Sequence, residues 1–170
     1  MPHLSSLHCY PIKSARGHAL ERARVTPLGL ADDRRFMVSD LTGRFLSQRE
    51  RPRLARLTPE LASDHLSLRA AGRTELRVPL LAVDVRRTVR IWRDEVRALD
   101  LGDKAAEWLS QFLGSECRLI GFDPTERRAS DARWCAGIGT ATQFADLNHR
   151  LAQPVPMNRF RPNLVIDTRL

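Results

Sequence analysis

The chain has 170 residues, enough for one domain with a substantial core, and its 42% hydrophobic and 28% charged residues are those of an ordinary globular protein. A formal net charge of +8 and a pI near 10.8 favour anionic partners, yet the arginines are interspersed with Asp, Glu and apolar residues, and aromatics make up only 6%, which argues against nucleic acid. No apolar run approaches the roughly 18–20 residues of a membrane span, and Met1–Tyr10 lacks the features of a signal peptide, so a cytoplasmic protein without a membrane partner is expected.

In chain order, Leu4–Tyr10 reads as a strand stopped by Pro11. Gly17–Val25 is a second extended run with Ala19, Ala23 and Val25 as inward positions, and Pro27-Leu28-Gly29-Leu30 is a turn. Arg34–Ser39 and Arg44–Gln48 flank Asp40-Leu41-Thr42-Gly43, a hairpin turn closed by glycine. Leu54–Leu61, His65–Ala70 and Leu76–Val78 follow as strands, and Val83–Leu99 supplies two more around Arg93-Asp94. Asp103 is predicted to cap a helix running to Leu113, with Ala106, Leu109, Phe112 and Leu113 on one face and Gly114 ending it. Cys117–Phe122 is a strand, Asp123–Gly137 an Arg-rich loop, Phe144–Leu151 a second helix and Leu164–Ile166 a last strand. Short strands at regular spacing predict a mainly β (α+β) fold, an antiparallel β-barrel with one or two packed helices.

The cysteines Cys9, Cys117 and Cys135 have no Cys-x-x-Cys spacing, so free thiols are expected, with Cys9 and Cys117 buried in apolar strands. The five histidines have no metal-ligand spacing, and there is no P-loop, dinucleotide fingerprint or Ser-His-Asp set, so no catalytic or metal residue is assigned. Four segments share another chemistry. Lys13-Ser14 follows the first strand, and Lys13 is one of only two lysines beside 26 arginines. Asp32-Asp33-Arg34-Arg35 enters a strand, Ser47-Gln48-Arg49-Glu50 ends the hairpin, and Arg159-Phe160-Arg161-Pro162-Asn163 precedes the final strand. Ammonium, guanidinium, hydroxyl and amide donors at strand ends can hold a phosphate together. Each segment also has a plainer reading: a surface lysine, an Asp33–Arg34 ion pair, an exposed Arg49–Glu50 pair, a turn at Pro162.

Taken together and in this order, the motifs LHCYPIKS (Leu7–Ser14), GLADDRRFM (Gly29–Met37), GRFLSQRERPRL (Gly43–Leu54), GDKAAEWL (Gly102–Leu109), Asp146-Leu147-Asn148 and RFRPNLVI (Arg159–Ile166) resemble the MOSC family, in the branch of the amidoxime-reducing proteins. The resemblance implies a MOSC N-terminal β-barrel-like domain over residues 1–120 and an incomplete start of the MOSC domain over 121–170. It also implies a molybdenum–pterin cofactor, a molybdopterin-type phosphorylated molecule, contacted by Lys13, Ser14, Arg34, Arg161 and Asn163. Asp33 would orient Arg34, and Arg159 would add to the positive field. Full-length relatives are implied to be molybdenum oxidoreductases that reduce N-hydroxylated compounds with electrons from a redox partner protein.

Two departures qualify that implication. The family's molybdenum-ligating cysteine lies well downstream of Arg-Pro-Asn, and Cys9, Cys117 and Cys135 do not occupy its place. Between Cys135 and Asp146 about a strand's length of the family pattern is missing, leaving Thr140 and Thr142 as weaker cofactor contacts. A shortened relative without redox activity by itself is therefore expected. The alternative is a non-catalytic binding module for a phosphorylated ligand or a partner protein, with RNA less favoured.

Overall fold

The computed structural model describes residues 1–27, 29–80, 84–122 and 138–168. The chain divides into two compact units, one built from residues 1–9, 17–33 and 138–168, the other from 10–16 and 34–122. Among the described residues most elements are strands, with two α-helices, as the mainly β expectation has it.

In the first unit, β1 (His3–Cys9) lies between β13 (Leu164–Asp167) and the short β2 (His18–Ala19), both antiparallel to it. The β1–β13 register slips between Leu4 and Ser6, a bulge. The strand β12 (Ile138–Thr140) pairs parallel with β13 and leads directly into α2 (Ala141–Arg150). The predicted helix over Phe144–Leu151 thus begins one turn earlier, and the strand before it was not anticipated; a three-residue run with a central glycine carries no alternation to read. A small hairpin joins β3 (Val25–Thr26) to β4 (Gly29–Leu30), with the Thr26 hydroxyl donating to the Gly29 carbonyl at 2.8 Å. Ala19 and Val25, expected to point inward, are exposed, Val25 at 78%. Their strands are two residues long, too short for alternation to select a face.

In the second unit, β5 (Phe36–Ser39), β11 (Arg118–Gly121), β10 (Asp94–Asp100) and β9 (Arg86–Ile91) form an antiparallel sheet in that order. A three-stranded meander contains β6 (Thr58–Leu61), β7 (His65–Arg69) and β8 (Leu76–Pro79). All four residues of β5 are buried, which explains its unbroken apolar run. The Asp40 turn forms as predicted: its carboxylate accepts the Thr42 N–H at 3.0 Å, the Thr42 hydroxyl at 2.7 Å and the Arg44 N–H at 2.9 Å. Of the strand read over Leu54–Leu61, residues 54–56 belong instead to a 3₁₀ turn (Pro52–Arg56) opened by Pro52, which pre-sets the turn's backbone; the strand begins only at Thr58.

Helix α1 (Asp103–Leu113) buries Ala105, Ala106, Leu109 and Leu113 and ends at Gly114 with φ 71°. Asp103 is its first residue and not its cap. Gly102 holds the cap position, and the carboxylate of Asp100 accepts the Gly102 N–H at 3.0 Å. Leu54, Leu57, Leu66, Leu68, Leu109 and Leu119 are all 0% exposed and share one core with Ile12, Phe36 and Val38. Burying each such leucine contributes about 1.5–3 kcal/mol before entropy is counted. Cys9 and Cys117 are buried as expected, while Cys135 lies outside the described residues. Among the described residues no helix is long and apolar enough to cross a membrane.

Candidate functional site

Five residues were expected to hold a phosphate, and the two units share them out. Lys13, Ser14 and Arg34 belong to the second unit, Arg161 and Asn163 to the first.

The second unit brings its three together by backbone pairing. Pro11 stops β1, and the following residues run parallel to the entry of β5. The Arg34 N–H donates to the Tyr10 carbonyl at 2.7 Å, Phe36 to Pro11 at 2.9 Å and Lys13 to Phe36 at 2.8 Å. Ile12 and Ala15, both 0% exposed, anchor the segment in the core, so the half-buried Lys13 and Ser14 between them are fixed by their neighbours. The Lys13 ammonium stands 4.8 Å from the centre of the Phe45 ring and 6.0 Å from that of Trp92. The Arg34 guanidinium lies 5.2 Å from the centre of the Tyr10 ring. Such faces attract a cation and narrow its rotamer range without consuming its hydrogen-bond donors. A sequence motif could name Lys13 and Arg34 but not the rings beneath them, since Phe45 and Trp92 are 47 residues apart and meet edge-on at 6.1 Å.

The backbone marks the same positions. Ser14, Asp32, Arg34 and Arg161 all have positive φ, at 69°, 65°, 48° and 54°, and Trp92 is the only other non-glycine residue among those described to do so. This region costs a side-chain-bearing residue about 1–2 kcal/mol, and such strain gathers where geometry matters more than stability. Three of the five predicted contacts therefore sit on backbone that local preference alone would not choose.

In the first unit, Arg161 follows a 3₁₀ turn over Met157–Phe160, and its own N–H donates to the Asn158 carbonyl at 3.1 Å. Asn163 is 0% exposed. Its side-chain amide donates to the Asp33 carboxylate at 2.7 Å and to the His8 carbonyl at 3.0 Å, while its backbone carbonyl accepts the His8 N–H at 2.8 Å. Both amide hydrogens are thus committed within the unit, and Asn163 works as a positioning residue that ties the Arg-Pro-Asn turn and Asp33 to β1. Asp33, assigned to Arg34 from the sequence, receives this Asn163 bond at 4% exposure. Arg159 is exposed. Thr140 ends β12 and Thr142 lies in the first turn of α2, but their side chains are outside the described residues.

The donor set of Lys13, Ser14 and Arg34 fits a phosphate: one point charge, one hydroxyl and one planar fork, held by 2.7–2.9 Å backbone bonds. A metal is a different matter. Among the described residues no group of three or more His, Cys, Asp or Glu could hold one. The Cys117 thiol is pushed up by burial, against a smaller opposing effect of the Ser110 hydroxyl, so it stays a protonated core group.

The model of the MOSC N-terminal beta barrel domain family matches residues 1–116. Mitochondrial amidoxime-reducing component 1 of Mus musculus is 32% identical in an alignment covering 96% of this chain and 55% of that protein. Molybdenum cofactor sulfurase of Drosophila grimshawi is 31% identical over 98% of this chain and 24% of its own length. A Bordetella bronchiseptica protein solved in solution superposes with a TM-score of 0.50 and 26% identity, covering 64% of this chain and 94% of that one. The chain thus spans about half the length of the amidoxime-reducing relative and about a quarter of the sulfurase.

Proposed function

The chain belongs to the family of the MOSC N-terminal beta barrel domain, and on that premise we propose that it binds the phosphate of a molybdenum–pterin cofactor through Lys13, Ser14 and Arg34. The observation that carries the proposal is the pairing of residues 10–13 with 34–36, which collects an ammonium, a hydroxyl and a guanidinium on strained, core-anchored backbone. Lys13 supplies a compact charge, Ser14 a donor that rotates to suit, and Arg34 a planar fork. Phe45 and Tyr10 hold the two cations in place before any anion arrives, so less side-chain entropy is lost on binding. In the other unit Arg161 and Asn163 are the contacts assigned by family resemblance, and the Asn163 side chain also ties their turn to β1.

When bound, the cofactor would supply the redox chemistry of its metal; the residues here bind and orient it. These 170 residues by themselves do not reduce N-hydroxylated compounds, because none of their cysteines stands where the family's thiolate ligand does. The test is to purify the chain from cells that make the cofactor and to measure retained pterin by fluorescence after oxidation. Wild-type protein is expected to retain pterin, with a loss of at least ten-fold in Lys13→Ala and in Arg34→Ala. Retention unchanged in both variants would refute the assignment. Binding of inorganic phosphate with no pterin retention would favour a module for some other phosphorylated ligand. Amidoxime reduction by the chain would overturn the statement on activity.

A further inference from the structure

A second feature of the 10–16 and 34–122 unit shares the Phe45 and Trp92 rings with Lys13 but is lined by a different set of charged groups. A cleft of about 380 Å³ is lined by Arg44, Phe45, Ser47, Arg49, Glu50, Arg90 and Trp92. Its volume falls in the range of small-molecule sites. Its charges divide in an informative way. Arg44 is committed, since its guanidinium donates to Glu50 at 2.5 Å and to Asp40 at 3.1 Å. Glu50 is likewise occupied, accepting from Arg44 and from the Ser47 hydroxyl at 3.1 Å. Arg49 and Arg90 are exposed, and among the described residues no carboxylate pairs with either. Three guanidiniums against one carboxylate leave the cleft positive, with two forks available.

The aromatic wall is equally unusual. Trp92 is 64% exposed and opens the two-residue turn between β9 and β10, with φ 57°. A hairpin turn with positive φ at its first central residue normally has glycine there. The sequence places the bulkiest side chain at that position instead, with the Phe45 ring edge-on beneath it. An indole held rigidly at strained backbone and left open to solvent is a stacking platform.

We propose that the cleft formed by Arg49, Arg90 and Trp92 binds a small planar aromatic compound carrying a phosphate, with the ring on the indole and the phosphate on the two guanidiniums. This goes beyond the cofactor reading, because Lys13, Ser14 and Arg34 do not line the cleft. Glu50 disfavours any anion placed on the Arg44 side and directs the phosphate toward Arg49 and Arg90.

The probe is adenosine monophosphate, titrated calorimetrically into the full chain, with the Trp92 indole N–H followed by NMR. Saturable binding that shifts this resonance is expected, with adenosine alone and inorganic phosphate alone each at least ten-fold weaker. Arg49→Ala, Arg90→Ala and Trp92→Ala are each expected to weaken binding at least ten-fold. Trp92→Phe, which keeps a ring, should recover part of the loss and guards against a fold defect at the turn. The proposal is overturned if no saturable binding occurs in the millimolar range, if phosphate alone binds as tightly, or if Trp92→Ala binds as wild type does. Failure here with pterin retention intact sinks only this inference.

Discussion

Replacing Asp100 with alanine should be among the most damaging single changes in the second unit. Its side chain is 0% exposed and accepts from Arg118 at 2.7 and 2.9 Å, from the Gly102 N–H at 3.0 Å, and from Arg87. One carboxylate thereby joins β9, β10, β11 and the start of α1. Burial pushes the Asp100 carboxyl up, but the hydrogen bonds from Arg118, Gly102 and Arg87 outweigh it, and the group is held below the usual carboxylate range. Removing one member of a buried pair costs about 3–5 kcal/mol. Arg118 is 15% exposed and keeps a 2.7 Å bond to the open carboxylate of Asp103, which places Asp100→Ala near the lower end, about 3 kcal/mol. Arg87 is 44% exposed and leaves Asp100 still paired with Arg118, so Arg87→Ala should cost about 1 kcal/mol or less. With a urea slope of about 2 kcal/mol/M, Asp100→Ala lowers the unfolding midpoint by about 1.5 M. The pH dependence has a fixed sign: a depressed carboxyl stabilises above its unfolded value near 3.9, and that contribution disappears as pH falls through the lower native value. The gap between wild type and Asp100→Asn should hold at pH 5–8 and close only on acidification below about 4. A midpoint shift under about 0.5 M for Asp100→Ala, or a cost for Arg87→Ala equal to that for Arg118→Ala, would refute the account.

Two further measurements probe the same unit. Gly43 and Gly72 both have positive φ, but a Cβ on Gly43 would meet the Thr88 carbonyl oxygen at 2.6 Å, whereas one on Gly72 meets nothing within 4 Å. Gly72→Ala should therefore cost only the conformational penalty of about 1 kcal/mol, and Gly43→Ala at least about 2 kcal/mol more, read from urea midpoints; equal costs would mean that the hairpin yields freely. Glu75 is held down to about 2, chiefly by the Arg69 hydrogen bond and then by the Ser67 hydroxyl. An NMR titration of Arg69→Gln should move its midpoint up toward the ordinary glutamate value, and an unmoved midpoint would show that Arg69 is not the cause.

Much of the second unit is legible locally. The Asp40–Gly43 turn, the β9–β10 hairpin and the α1 face announce themselves through turn chemistry and periodicity, because each is stabilised by contacts within about a dozen residues. The site is legible only in its donors. Lys13 stands out by composition and Arg34 and Arg161 by motif, but the partners that define their roles do not.

Chain chemistry alone determined that the fold is mainly β, that the charge favours anions and that Cys9 and Cys117 are buried core residues. Tertiary structure decided the rest. Asn163, expected from the sequence as a cofactor contact, gains a bond to Asp33, 130 positions away. The run Ile138–Thr140 becomes a strand only because β13 offers it an edge. Lys13 gains its aromatic bed from Phe45 and Trp92, which a hairpin and two strands must fold to deliver. The division has one physical reason: local preferences are written residue by residue, whereas a buried amide or a cation over a ring acquires its role only when chain closure supplies a distant partner.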